Sequence, residues 1–241
     1  MGYRMFTSEA GRFQPPHPKL SPRVFQVVES ALRKAWEIVT TQGRPDFDWR
    51  RAHEDRVTLE LFEALKDRVF HHGLVSGFNR SVFSTIVREP KIRNYNRRKP
   101  DKMPDLLIEF ADLPFNGMPS QHGIFIECKP VDRDHPVSSH YCGKGLIRFI
   151  DGDYAWAMQE AIMLAYAAPD YSSTKQLPKA LSVGKTAEMR PLSALEPCST
   201  SCDDDFAEQT RISKHDRRFS FEENDRPAPP ITLHHLWLKR G

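Results

Sequence analysis

The sequence predicts a mixed α/β domain, on three observations. Two N-terminal segments, VFQVVESALRKAWEIV after Ser21-Pro22 and a second from about Trp49 to His71, repeat apolar residues at helical spacing. Two short apolar runs, Leu106–Phe110 and Gly123–Lys129, have strand length and are joined by the turn-rich ADLPFNGMPSQH. With 241 residues, 39% of them hydrophobic and 28% charged, the chain is long enough for one large core and polar enough to be globular. No internal repeat interrupts it. The economical division is a polar arm over residues 1–18 and a single domain over 19–241.

The elements follow in order. Ser21 stands at an N-cap with Pro22 at the first helical position, a favoured helix start. Gly43-Arg44-Pro45 breaks that helix, and His72-Gly73 ends the second, whose predicted core face is Val57, Leu61, Leu65 and Val69. Ser81 to Val87 reads as a short strand or a helical turn. After the two central strands, a long helix is expected from about Asp153 to Ala168, with Tyr154, Met158, Ala161, Ile162 and Ala165 on the helical period. Residues 170–210 have little periodicity. Two late strands are expected at Arg211–Phe221 and Ile231–Lys239.

Composition limits the partners. No apolar run approaches the roughly 18 residues needed to span a bilayer, and the first residues lack the apolar stretch of a secretory signal. The four cysteines, at 128, 142, 198 and 202, show no disulfide-framework spacing. A cytoplasmic protein with no membrane partner is expected. The net charge of +3 is uninformative, but its distribution is not. From Arg88 to Lys102 the run REPKIRNYNRRKPDK carries seven Lys or Arg against two acids. It reads either as a solvated loop or as a surface that tracks phosphates, with Arg93, Arg97, Arg98, Lys99 and Lys102 as nucleic-acid contacts.

The strand GIFIECKP ends in an acid and a lysine two positions apart, so Phe125, Glu127 and Lys129 share one face. Burying such ions is costly unless they are paired or bind something. A salt-bridged strand end is the plain reading. A hairpin closed symmetrically around Asn116-Gly117 would, however, set Asp105 opposite Glu127, with Cα atoms about 4.5–5.5 Å apart. Two carboxylates that close repel, and one is driven to hold a proton. A divalent cation removes that penalty: Mg²⁺ takes carboxylate oxygens and keeps waters, one of which can act as nucleophile. Lys129, beside the cation, would orient and help deprotonate that water and stabilise charge on the phosphorane.

Pro104-Asp105 … Glu127-x-Lys129 resembles the signature of the PD-(D/E)xK nuclease superfamily. The resemblance covers about residues 50–168. It implies a restriction-endonuclease-like mixed β-sheet flanked by helices, and metal-dependent hydrolysis of phosphodiesters. AHEDRVTLELFEALKDRV looks like that superfamily's first helix, which places Glu54 at the metal site; the alternative for Glu54 is a first-turn acid complementing the helix dipole. The implied catalytic set is Asp105, Glu127, Lys129 and Glu54. Asp105, Glu127, Glu54 and the backbone carbonyl of Cys128 would hold Mg²⁺ or Mn²⁺. The Gln-x3-Tyr pattern of some branches is not met, since Gln159 is followed by Met163, with Tyr166 the nearest tyrosine. Arg148, Tyr154, Trp156 and Gln159 fall near the site, with the aromatics read chiefly as packing. His135, His140 and Lys144, and one of His234 and His235, are further candidates.

The expected function is nuclease activity on nucleic acid, DNA rather than RNA, in restriction, repair or mobile-element defence. Target choice would rest with a homo-oligomer or a targeting protein. The competing expectation is a catalytically inactive nucleic-acid-binding or interaction module on the same fold.

Overall fold

The computed structural model describes residues 15–112, 117–182, 188–197, 210–221 and 224–241. A seven-stranded mixed sheet forms the middle layer, with helices on both faces. Helix α1, Pro22–Gln42, begins where Ser21-Pro22 predicts and buries Phe25, Val28, Leu32, Ala35 and Val39. Helix α2, Glu54–Glu63, continues directly as π-helical Ala64–Phe70. It starts five residues later than its apolar period suggests. Residues 49–52 instead form a turn, whose carbonyls at Trp49 and Ala52 accept from the Arg240 guanidinium at 2.8 and 2.6 Å.

The strands are β1 (Phe83–Arg88), β2 (Leu106–Phe110), β3 (Gly123–Val131), β4 (Glu160–Ala167), β5 (Glu196–Pro197), β6 (Thr210–His215) and β9 (Ile231–Lys239), in the order β1-β2-β3-β4-β9-β6-β5. β3, β4 and β9 are mutually parallel, and the outer pairings are antiparallel. A separate hairpin joins β7 (Ser220–Phe221) to β8 (Arg226–Pro227). On one face, α1 and α2 pack on Ile108, Ile126, Ile162, Leu164 and Leu236. On the other, α3 (π-helical Val137–Leu146 running into α-helical Ile147–Ile150) and α4 (Gln176–Ser182) pack on Phe125, Met163, Ala165 and Trp237. No helix among the described residues is long and apolar enough to cross a membrane.

Two expectations are corrected. The helix expected at 153–168 is a turn followed by β4, all eight of whose residues are buried. A central parallel strand covered on both faces is apolar throughout, so EAIMLAYA reads equally well as a buried helix. The helix that follows β3 lies instead at 137–150, in a segment expected to be a link. Its two glycines and β-branched start argue against a helix by propensity alone, and packing overrides them. The expected strand Arg211–Phe221 is broken at 216–219 into β6 and β7, and β9 has its expected bounds. Of the N-terminal arm, residues 1–14 lie outside the described residues. His17 and Leu20 are tied down, with His17 N–H donating to Ala157 O at 2.7 Å and Leu20 N–H to Glu160 Oε2 at 2.9 Å.

Candidate active site

Strand β3 outruns β2. Their register pairs Leu106 with Ile126 and Glu109 with Gly123. Continued by one residue, it sets Asp105 opposite Glu127, as symmetric closure about residue 116 requires. Asn116 itself lies outside the described residues. From Cys128 onward β3 keeps β4 on one side, but β2 no longer covers the other. A main-chain N–H left bare there needs a partner. Asp105 Oδ2 accepts from Cys128 N–H at 2.6 Å, and the Asp105 carbonyl accepts from Glu89 N–H at 3.1 Å. The aspartate is thereby fixed at the point where the two strands part.

The first turn of α2 brings Glu54 to the same gap. Lys129 Nζ lies 2.7 Å from Glu54 Oε1, 2.6 Å from Cys128 O, 3.0 Å from Glu127 Oε1 and 3.6 Å from Asp105 Oδ2. All five groups singled out by the sequence are therefore brought together. Four oxygen acceptors surround one ammonium.

Burial governs the electrostatics. Glu127 is fully buried and Lys129 is 7% exposed. Burial, and then the charge of Glu127, push the Asp105 carboxyl up to about 7. Burial likewise raises the Glu54 carboxyl, against the pull of Lys129. For Lys129 burial opposes the charge, but Glu127, Asp105 and Glu54 outweigh it and hold the ammonium well above the usual lysine value. In this arrangement Lys129 can donate to a water and stabilise negative charge, but has no lone pair to accept a proton.

Helix α3 closes the site from the sheet's other face. A Cβ on Gly145 would stand 2.8 Å from Met163 Cε, 3.2 Å from Lys129 Cγ and 3.4 Å from Glu127 Cγ. A side chain here would press on Met163 and Lys129, which would have to shift. One turn on, Arg148 Nη1 reaches to 3.4 Å from Glu127 Oε1. The turn after α3 delivers Tyr154, whose hydroxyl donates to Glu127 Oε2. This turn is organised by the buried Arg217, which donates to the carbonyls of Ala155, Trp156 and Met158. Tyr154 packs on Phe149 and bonds Glu127, so it serves the core and the site at once. Its apolar neighbours in sequence hide the second role.

The oxygen set fits a hard divalent cation. Glu127 Oε1 is buried without a well-formed hydrogen bond, and the Cys128 carbonyl and Glu54 complete a cage already built around a positive charge. Among the described residues no three His, Cys, Asp or Glu side chains stand as a ready chelate. Mg²⁺ does not require one, since it is commonly held by one or two carboxylates with waters filling its octahedron. Lys129 Nζ would have to yield its place.

The basic run forms a pinned loop beside Asp105. Ile92 bridges Lys102, and buried Asn94 accepts from Lys99 N–H at 3.0 Å through its side chain. Trp156 donates to Arg93 O at 3.0 Å, and Tyr95 stacks on Phe219 with ring centroids 4.5 Å apart. Arg93, Arg97, Arg98 and Lys99 are exposed. Lys102 is turned to Asp153 at 2.6 Å.

Of the remaining candidates, His140 and Lys144 lie on α3, where burial, joined by the charges of Lys144 and Lys129, holds the His140 imidazole below its ordinary value. Gln159 donates to His17 O. His135 pairs with Asp132 and packs edge-on against His140 past the end of β3. His235 is buried between Tyr141 and Ser213, and His234 stacks on Phe25. No protein-family model, curated protein or solved structure matches this chain.

Proposed function

We propose that this chain is a divalent-metal-dependent nuclease with a restriction-endonuclease-like fold, hydrolysing phosphodiester bonds of DNA in preference to RNA. The observation that carries the reading is the cage that Glu54, Asp105, Glu127 and the Cys128 carbonyl form around the Lys129 ammonium, where β3 outruns β2. The resemblance of Pro104-Asp105 … Glu127-x-Lys129 to the PD-(D/E)xK signature supports it, as does a rigid basic loop adjoining Asp105.

Asp105, Glu127, Glu54 and the carbonyl of Cys128 would hold Mg²⁺ or Mn²⁺. When bound, such a cation supplies Lewis-acid charge and a water of lowered pKa. Lys129 orients the attacking water and stabilises charge developing on the phosphoryl oxygens. Tyr154 fixes Glu127 through its hydroxyl. Water adds across the ester: its oxygen bonds phosphorus, the bond from phosphorus to the departing sugar oxygen breaks, and one proton ends on that oxygen. Arg93, Arg97, Arg98 and Lys99 hold the flanking backbone. Target choice falls to a second copy or a partner protein.

Incubation with linear, circular and single-stranded DNA and with RNA, with Mg²⁺ and with chelator, tests the reading. Cleavage of DNA only when Mg²⁺ is present is the expected result. One observation favours the alternative, a catalytically inactive nucleic-acid-binding module: the Lys129 ammonium already fills the cage. Binding without cleavage, and no Mg²⁺ or Mn²⁺ uptake in calorimetry, would establish that alternative.

A further inference from the structure

Glu127 has more positive neighbours than one carboxylate uses. Tyr154 takes Oε2, while Lys129 Nζ at 3.0 Å and Arg148 Nη1 at 3.4 Å both face Oε1. Neither cation makes a well-formed hydrogen bond to that oxygen. Lys129 is anchored elsewhere, on Glu54 and the Cys128 carbonyl. Arg148 contacts no second carboxylate, its other partner being the Tyr154 hydroxyl, and its side chain is 40% exposed at the C-terminal end of α3. It therefore stands at the mouth of the site, with its stem on a rigid helix and its head against a shared acid.

The charge balance points the same way. Glu54, Asp105 and Glu127 bring three negative charges, and Lys129 and Arg148 bring two positive. The ionised cluster is then minus one. With all three carboxyls ionised, a bound divalent cation would make the cluster plus one, and the single negative charge of a phosphodiester would bring it to zero. A metal in the cage would take the place of Lys129 Nζ and turn that lysine to the attacking water, and Arg148, which contacts Glu127 alone among the three carboxylates, is the positive group at the same acid that would turn to the phosphate. A guanidinium presents two parallel N–H donors that match two oxygens of a phosphate, which an ammonium cannot do.

We infer that Arg148 is a substrate-binding catalytic residue, which leaves Glu127 to hold a non-bridging oxygen of the scissile phosphodiester. The inference rests on the nuclease reading and adds to it the group that recognises the reacting phosphate. It separates two kinds of positive charge. The loop arginines hold the backbone along its length, whereas Arg148 engages one phosphate and only when the carboxylates are occupied.

The test compares wild type with Arg148→Gln and Arg148→Lys. Anisotropy of a labelled DNA duplex is measured with Ca²⁺ and with chelator, Mn²⁺ uptake by calorimetry, and single-turnover cleavage in Mg²⁺. Arg148→Gln should lose the tightening that Ca²⁺ gives to wild type, yet bind DNA as wild type does in chelator. Its Mn²⁺ uptake should be equal or stronger, since a competitor for Glu127 is gone. Cleavage at saturating DNA should fall about 100-fold, the scale of losing one donor to a transition-state oxyanion. Arg148→Lys should recover part of the rate, and added guanidinium ion should rescue Arg148→Gln but not wild type. Near wild-type cleavage with an intact Ca²⁺ effect would overturn the inference. So would a loss of Mn²⁺ uptake, which would make Arg148 a partner of the carboxylates alone. If wild type itself cuts no nucleic acid, the nuclease reading fails, and this inference with it.

Discussion

Lys129 Nζ lies 2.7 Å from Glu54 Oε1, an acid 75 residues earlier in the chain, and the same ammonium touches the Cys128 carbonyl at 2.6 Å. A metal in this cage would contend with the lysine for one set of oxygens. Lys129→Ala should therefore raise Mn²⁺ affinity by about tenfold or more, because hydrogen bonds to charged groups of about 1.5–3 kcal/mol no longer have to be broken. Cleavage should fall by several orders of magnitude. Titration calorimetry and single-turnover assays read the two effects separately. A variant that binds metal more weakly would show that the lysine supports the cation site instead of competing for it.

Asp105→Asn probes the crowded carboxylates through pH. The folded-state carboxyl is raised to about 7 from an ordinary value of 3.8. Between those values the folded chain keeps a proton that the unfolded chain has lost, so this group's contribution to stability declines as pH rises from about 4 to 7. Below that window the proton is present in both states and the burden is absent. In chelator the variant should melt at least about 2–4 °C higher than wild type at pH 8, the shift expected for about 1 kcal/mol in a chain of this size. Near pH 4 the two should coincide. A lower Tm at pH 8 would make Asp105 a structural ion-pair partner.

Tyr154→Phe removes one oxygen and leaves the ring that packs on Phe149. Glu127 is fully buried, so its Oε2 loses its donor with no water to replace it. The expected loss of stability is about 1–3 kcal/mol, measured by denaturant unfolding in chelator, with a slower cleavage rate in Mg²⁺. Unchanged stability would mean that the hydroxyl does not hold the carboxylate.

Replacing Arg97, Arg98 and Lys99 together by alanine should weaken DNA binding uniformly across sequences. Every phosphate that is no longer neutralised lowers the salt slope by about 0.9 for a duplex and about 0.7 for a single strand, so the total drop should be about two to three units at most. Affinity over a series of salt concentrations, in chelator, gives the slope. If it does not change, the loop is only a solvated edge.

The site was more legible than the architecture around it. Asp105, Glu127 and Lys129 announce themselves because ions on an apolar strand conflict with burial, and the strand period alone puts Glu127 and Lys129 on one face. Glu54 is picked out only by the resemblance of its segment to a superfamily helix, since an acid near a helix start reads equally well as a partner of the helix dipole. Arg148 and Tyr154 give no such signal. They are delivered by α3 and the turn after it, and α3 is a helix whose sequence, VSSHYCGKGL, carries glycines where a helix former would be expected. Gly145 lies against Lys129 and Met163, so a residue of low helix propensity sits where the helix meets the site. Strand β4 fails to read for the opposite reason. Its burial on both faces removes the alternation that identifies strands.

Strand β9 lies between β4 and β6, near the middle of the sheet, although it follows every other strand of that sheet in sequence. Arg240, just after it, donates to the carbonyls of Trp49 and Ala52, in the turn that leads into Glu54. A ribosome that has emitted the whole acid-x-lysine motif still holds back the strand that completes the sheet and the residue that braces Glu54's helix. Loop closures this long are slow, because their entropy is spent before any distant pairing forms. Until β9 pairs with β4 and Arg240 reaches those carbonyls, the turn that leads into Glu54 lacks its brace.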